Sequence, residues 1–177
     1  MGEALMVGMA EIRVTRSLDD VLVALGLGSC IGVCAYDIKS RIAGMAHVVL
    51  PDSMGHDENR QKFADTAIPC LLDEMRKAGA NIRNIRVALT GGAQLFAFQG
   101  TGPRLEIGAR NAAAVQAALA QCNVPIVASD IGGSTGRTVH LFADGRVRVK
   151  TIGQGEKQLT SLAMGNENAC TPHVKVS

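Results

Sequence analysis

The stretch VLVALGLGSCIGVCAYDIKSRIAGMAHVVL, residues 21–50, decides how the rest of the chain is read. It holds three apolar runs: VLVALG at 21–26, CIGVCAYD at 30–37 and IAGMAHVVL at 42–50. Gly26-Leu27-Gly28-Ser29 breaks the first from the second, and Ile38-Lys39-Ser40-Arg41 turns the second into the third. Short apolar runs bounded by turn residues read as strands. The turn predicts that the second and third pair as neighbours.

Outward from this stretch, residues 5–15 read as a further strand and Pro51-Asp52-Ser53-Met54-Gly55 as a loop. From Asp57 to Ala78 the pattern becomes helical, with Phe63, Ala67, Cys70, Leu71 and Met75 at three- and four-residue steps. Pro69 inside that run predicts a kink or a split, and Gly79 a stop. Ile85–Leu89 is a buried-type strand, and an Ala-rich helix follows over 107–121. Val124–Ser129 is another strand, and Arg137–Phe142 with Arg146–Thr151 predicts a hairpin around Ala143-Asp144-Gly145. After Gly153 the chain turns polar and loses its period, which predicts a tail over 153–177 that is disordered or docks a partner. The expectation is one α+β domain over 1–152, a layered sandwich of seven or eight strands, mostly antiparallel, covered by two main helices.

Composition narrows the function. With no Trp, one Tyr and four Phe, the chain lacks the aromatic platforms that base stacking needs, so nucleic-acid binding of that kind is excluded. A net charge of +2, spread out, makes no phosphate track; Arg137, Arg146, Arg148 and Lys150 read as the solvated face of the hairpin. Five cysteines without CxxC pairs or zinc spacings predict neither a disulfide framework nor a metal site, and fit a reducing compartment. No stretch approaches a membrane span and the N-terminus does not read as a signal peptide, so a cytoplasmic protein without membrane insertion is expected.

The chemistry concentrates in LGLGSCIG, residues 25–32. Glycines around Cys30 permit a turn that exposes the sulfur and aims main-chain N–H groups at an oxyanion, with Gly28 and Ser29 as the nearest donors. A thiol needs a neighbouring base to act as a nucleophile. His47, the one polar side chain in IAGMAHVVL, meets that need if the two strands pair. On residues alone, a small buried Cys and a satisfied core His remain the competing explanation. A dinucleotide fingerprint fails, because one residue too many precedes the third glycine and no helix opens after it. Gly91-Gly92-Ala93-Gln94 and Gly132-Gly133-Ser134-Thr135-Gly136 either border the cleft, Gly91 and Gly92 adding N–H donors, or make tight turns. Cys34 and Cys70 read as core, His56 as a solvated loop residue and His140 as structural in its strand.

LGLGSCIGVCAYD with GMAHVVLPDS resembles the signature of the CheD family, chemoreceptor glutamine deamidases of bacterial and archaeal chemotaxis. KFADTAIPCLLDEM (62–75), GGAQLF (91–96), IGARN (107–111) and DIGGSTGRTVHLFADGRVRVK (130–150) extend the likeness, which runs from about residue 8 to 152. The resemblance implies hydrolysis of receptor glutamine side chains to glutamate with release of ammonia, Cys30 as nucleophile and His47 as base, and no cofactor. It implies a layered α/β fold shared with toxin deamidases of the cytotoxic necrotizing factor type. It implies as partners the cytoplasmic helices of chemoreceptors and a CheC-type phosphatase, with an adaptor of weak or no catalysis as the alternative. The family carries Thr six residues before the nucleophile, as the third member that orients the histidine. Here Ala24 stands in that place. Either a main-chain carbonyl orients His47, which is the expectation, or another polar group does, or activity is reduced.

Overall fold

The computed structural model describes residues 2–95 and 106–164. Two five-stranded sheets lie face to face, and two helices cover the second. Sheet one has the order β1 (Ala4–Met6), β3 (Val21–Leu27), β8 (Arg137–Phe142), β9 (Arg146–Thr151), β10 (Gly155–Ser161). Sheet two has the order β2 (Ile12–Thr15), β5 (Ile42–Val48), β4 (Ile31–Asp37), β6 (Ile85–Gly91), β7 (Ile126–Ile131). All ladders are antiparallel except β1–β3 and β6–β7. The parallel β6–β7 pair requires a crossover, and α2 (Ile107–Gln121) lies within it. No helix among the described residues is long and apolar enough to cross a membrane.

β4 and β5 are buried along their whole length because sheet two is covered on both faces. That is why their sequences run apolar without alternation. Ile31, Val33, Ala35, Ile42, Ala46 and Val48 join the core beneath the helices. Cys34, Tyr36, Ala43 and Met45 join the core between the sheets. Cys34 is a packed thiol, pushed up by burial to about 12. At Gly44 an added Cβ would lie 2.8 Å from Met75 Sδ of α1 (Ala64–Lys77), so the missing side chain lets that helix seat on the sheet.

Four sequence expectations are corrected. Residues 5–15 are not one strand: β1 belongs to sheet one and β2 to sheet two, and 7–11 cross between them with Ala10 at φ 60°. The first helix begins at Ala64, not Asp57, because Lys62 and Ala64 are drawn into main-chain bonds with Val49 and Leu50. Of the kink or split expected at Pro69, the split does not occur, and the helix runs on through it. The proline is exposed, opposite the buried stripe of Ala64, Ala67, Ile68, Leu71, Leu72 and Met75, where water can serve the carbonyl it leaves unpaired. The stretch read as a tail contains β10, paired with β9, and the buried Leu162, so sheet one continues past residue 152. Residues 165–177 of that stretch lie outside the described residues.

Asp37 closes the β4–β5 turn from a fully buried position. Its Oδ1 accepts from the N–H groups of Lys39 (2.8 Å) and Ser40 (3.0 Å), and its Oδ2 from Asn81 (2.7 Å). Burial acts to raise this carboxyl, but the donors Ser40, Asn81 and Lys39 outweigh it and hold it below 3.8. A depressed carboxyl stabilises the fold above its unfolded pKa and loses that contribution as pH falls through the folded value. Asp37→Asn should therefore lower stability by about 1.5–3 kcal/mol at neutral pH. In denaturant titrations the gap from wild type should close on acidification below 3.8.

Candidate active site

Gly28-Ser29-Cys30 is the corner by which the chain leaves sheet one at Leu27 and enters sheet two at Ile31. Each carbonyl of this corner is tied down. Gly28 O accepts from Ala93 N (2.8 Å), Ser29 O from Asn111 Nδ2 (2.9 Å) and Cys30 O from Gly92 N (2.9 Å). None of the three N–H groups donates to the backbone of another described residue. A corner with its acceptors engaged and its donors without partners among the described residues has the composition of an oxyanion site. Cys30 itself is half-buried.

His47 lies in β5, buried, and pairs with Gly32 in the β4–β5 ladder, while Val48 pairs with Ile31. Cys30, one residue before Ile31, packs against the core between the sheets, the side of β5 opposite to Ala46 and Val48, on which alternation also places His47. The ring Nδ1 is 3.0 Å from Val7 O, in the segment that crosses between the sheets. A carbonyl only accepts, so Nδ1 carries the proton and Nε2 keeps its lone pair. Main-chain bonds Ala10 N to His47 O and His47 N to Glu11 O hold the same segment along β5. The main-chain carbonyl that faces the ring is that of Val7, not of Ala24. Ala24 is fully buried in β3, paired with Val139.

Burial lowers His47, opposed by the Val7 carbonyl and by the negative charge of Glu11; the net direction is below 6.5. Burial also raises Cys30 above 9.0, with its own N–H pulling the other way. Both shifts favour a neutral thiol beside a neutral imidazole. No group of three His, Cys, Asp or Glu side chains among the described residues could hold a metal ion.

The family model described as CheD chemotactic sensory transduction matches residues 49–151. The chain is 44% identical over 158 residues to a probable chemoreceptor glutamine deamidase CheD of Caldanaerobacter subterraneus subsp. tengcongensis, covering 88% of this chain and 97% of that one. It is 45% identical over 157 residues to the probable chemoreceptor glutamine deamidase CheD of Symbiobacterium thermophilum, covering 86% and 95%. It is 40% identical over 163 residues to the chemoreceptor glutamine deamidase CheD of Halalkalibacterium halodurans, covering 90% and 100%. The chain belongs to the CheD family. The family model begins just past His47, whereas the pairwise matches leave too few residues outside them to omit Cys30 or His47.

Around the CheD corner, Gly91 and Gly92 both have positive φ, and an added Cβ on Gly91 would overlap the Cys30 carbonyl. The Gly92 N–H is spent on Cys30 O, so it braces the corner and is not available to an oxyanion as the sequence suggested. The Gly132–Gly136 turn sits behind this brace: Gly132 N donates to Gly91 O, and Gln94 N to Gly133 O. Arg137 corrects the solvated-face reading. It is 8% exposed, pairs with Asp130 at 3.2 Å and donates to Gly91 O and Gly132 O at 3.3 and 2.8 Å. Arg146 and Arg148 do pair at the surface, with Asp144 and Glu156. His56 is exposed, and His140 stacks with Phe142. Sequence reading missed the parts played by Val7, Arg137 and Asn111. Only Asn111 left a signal, a polar residue on the apolar stripe of its helix.

The neutral pair has a measurable consequence. In the absence of substrate, alkylation of Cys30 by iodoacetamide, followed by peptide mass spectrometry to separate it from Cys70 and Cys122, should still be accelerating at pH 9.0. A rate plateau reached below neutral pH would mean that a thiolate is already formed, and the neutral pair would be wrong.

Proposed function

We propose that the chain is a protein-glutamine deamidase that converts receptor glutamine side chains to glutamate by a thiol mechanism on Cys30 and His47. The observation that carries this reading is the Cys30 corner, its carbonyls all engaged, on the same face of the sheet as a histidine whose Nδ1 is held by Val7 O. The names of the relatives supply the substrate class: they are chemoreceptor glutamine deamidases.

In the proposed sequence Nε2 of His47 takes the Cys30 proton as Sγ attacks the carboxamide carbon. The C=O pair moves to oxygen, and the N–H groups of Gly28, Ser29 and Cys30 receive that oxyanion. His47 returns the proton to the departing nitrogen, which leaves as ammonia, and a thioester remains. Water, deprotonated by His47, attacks the thioester; glutamate leaves and Cys30 recovers its proton. A lowered His47 suits this cycle, because the base is unprotonated at neutral pH before substrate arrives. With Nδ1 fixed by main chain, the side chain at position 24 is not needed to orient the ring.

Leu25, Leu95 and Met9 are exposed apolar side chains on segments that adjoin the corner and His47, as a protein substrate requires more than a small amide would. An added Cβ at Gly28 would lie 2.7 Å from Leu95 Cδ1, which places that leucine at the corner itself. Receptor cytoplasmic helices are the substrate in this reading, and a CheC-type phosphatase is the second partner implied by the family resemblance.

Incubation with a receptor cytoplasmic fragment should convert specific Gln to Glu by mass spectrometry. Cys30→Ala should abolish conversion, and His47→Ala should lower kcat by about 10²–10⁴-fold. The acid limb of the wild-type kcat/KM profile should fall below pH 6.5 and vanish in His47→Ala. Undiminished conversion by folded Cys30→Ala would sink the mechanism.

A further inference from the structure

Asn111 occupies the buried stripe of α2 with Gly108, Ala112, Val115, Ala118 and Leu119, and it is fully buried. Its Nδ2 donates to two carbonyls at once, Ser29 O and Val49 O, each at 2.9 Å. An amide nitrogen carries two protons and both neighbours only accept, so the orientation of the group is forced. Ser29 immediately precedes Cys30, and Val49 follows His47 by two residues. The β4–β5 ladder ends at Ile31–Val48, and beyond that point Val49 N turns away to Lys62 O. Past the end of the ladder, the Asn111 amide therefore links the corner that carries Cys30 to the segment that follows His47.

Resting on the reading of Cys30 and His47 as the reacting pair, we propose that Asn111 is a positioning residue that sets their relative placement by clamping Ser29 O to Val49 O. A purely structural role fits the site less well. The Oδ1 of Asn111 is buried without a partner among the described residues, a cost that an apolar side chain in the same stripe would avoid. The position carries an amide although packing alone favours a hydrocarbon. The two donor bonds are what the amide provides in return, and both end on the main chain that carries the proposed pair.

The test uses Asn111→Leu, close in shape but without donors, and Asn111→Thr, which keeps a single donor should the first variant fail to fold. In a variant shown folded by cooperative thermal unfolding, kcat for receptor-fragment deamidation should fall at least ~10-fold, with KM changed less than about threefold. In a His47→Ala background, the same substitution should cost less than about twofold, since relative placement matters only while the base is present. A folded variant with kcat near wild type, or an equal loss with and without His47, would overturn the proposal. Failure of the parent reading looks different: there His47→Ala alone would leave kcat unchanged.

Discussion

Sheet two has no face open to water along β4 and β5, and the site depends on that constraint. Where both faces of a strand pair are buried, a slip of one residue exchanges the two sets of side chains. Here it would turn His47 toward the helices and bring Ala46 or Val48 into the core between the sheets. The register Gly32–His47 is held by packing on both sides as well as by the ladder. With it comes the placement of Cys30, because the corner begins where the ladder ends.

The corner illustrates how little side-chain chemistry is needed once main chain is accounted for. Three carbonyls in succession are engaged by Ala93 N, Asn111 Nδ2 and Gly92 N. The residues supplying those donors come from the ends of two different elements, β6 and α2, and Arg137 with Asp130 braces the first from behind. His47, the proposed base, is treated likewise: a carbonyl from Val7 occupies Nδ1. That carbonyl belongs to the crossing segment 7–11. The neutral state favoured for both Cys30 and His47 then has a simple origin, since burial disfavours each charge and no described cation stands by to favour a thiolate.

Much of this was legible from local pattern. The runs at 30–37 and 42–50, the turn between them, the helix over 107–121 and the hairpin at 137–151 all follow from apolar runs and turn residues. The misreadings share one cause. Residues 5–15 are uniformly strand-like, yet belong to two sheets; Phe63 sits in helical register, yet caps a helix whose preceding residues pair with Leu50. β10 carries Glu156, Lys157 and Gln158 exposed, so no alternation marks it as a strand, and only the edge of β9 gives it a partner. Arg137 reads as a surface cation by residue type, and becomes interior because Asp130 and two glycine carbonyls converge on it.

The sequence by itself determined the family and the central strand pair, and it pointed to Cys30 and His47 as the pair on which the proposed chemistry rests, because glycine spacing and an isolated polar residue in an apolar run are local signals. Tertiary structure alone decided which carbonyl faces His47, which N–H groups are spent among the described residues, and that Asn111 joins Ser29 to Val49 past the end of the β4–β5 ladder. Those outcomes concern carbonyls and amides that every residue possesses. Main-chain groups carry no signature in residue type, so their partners become known only when the fold brings distant segments together.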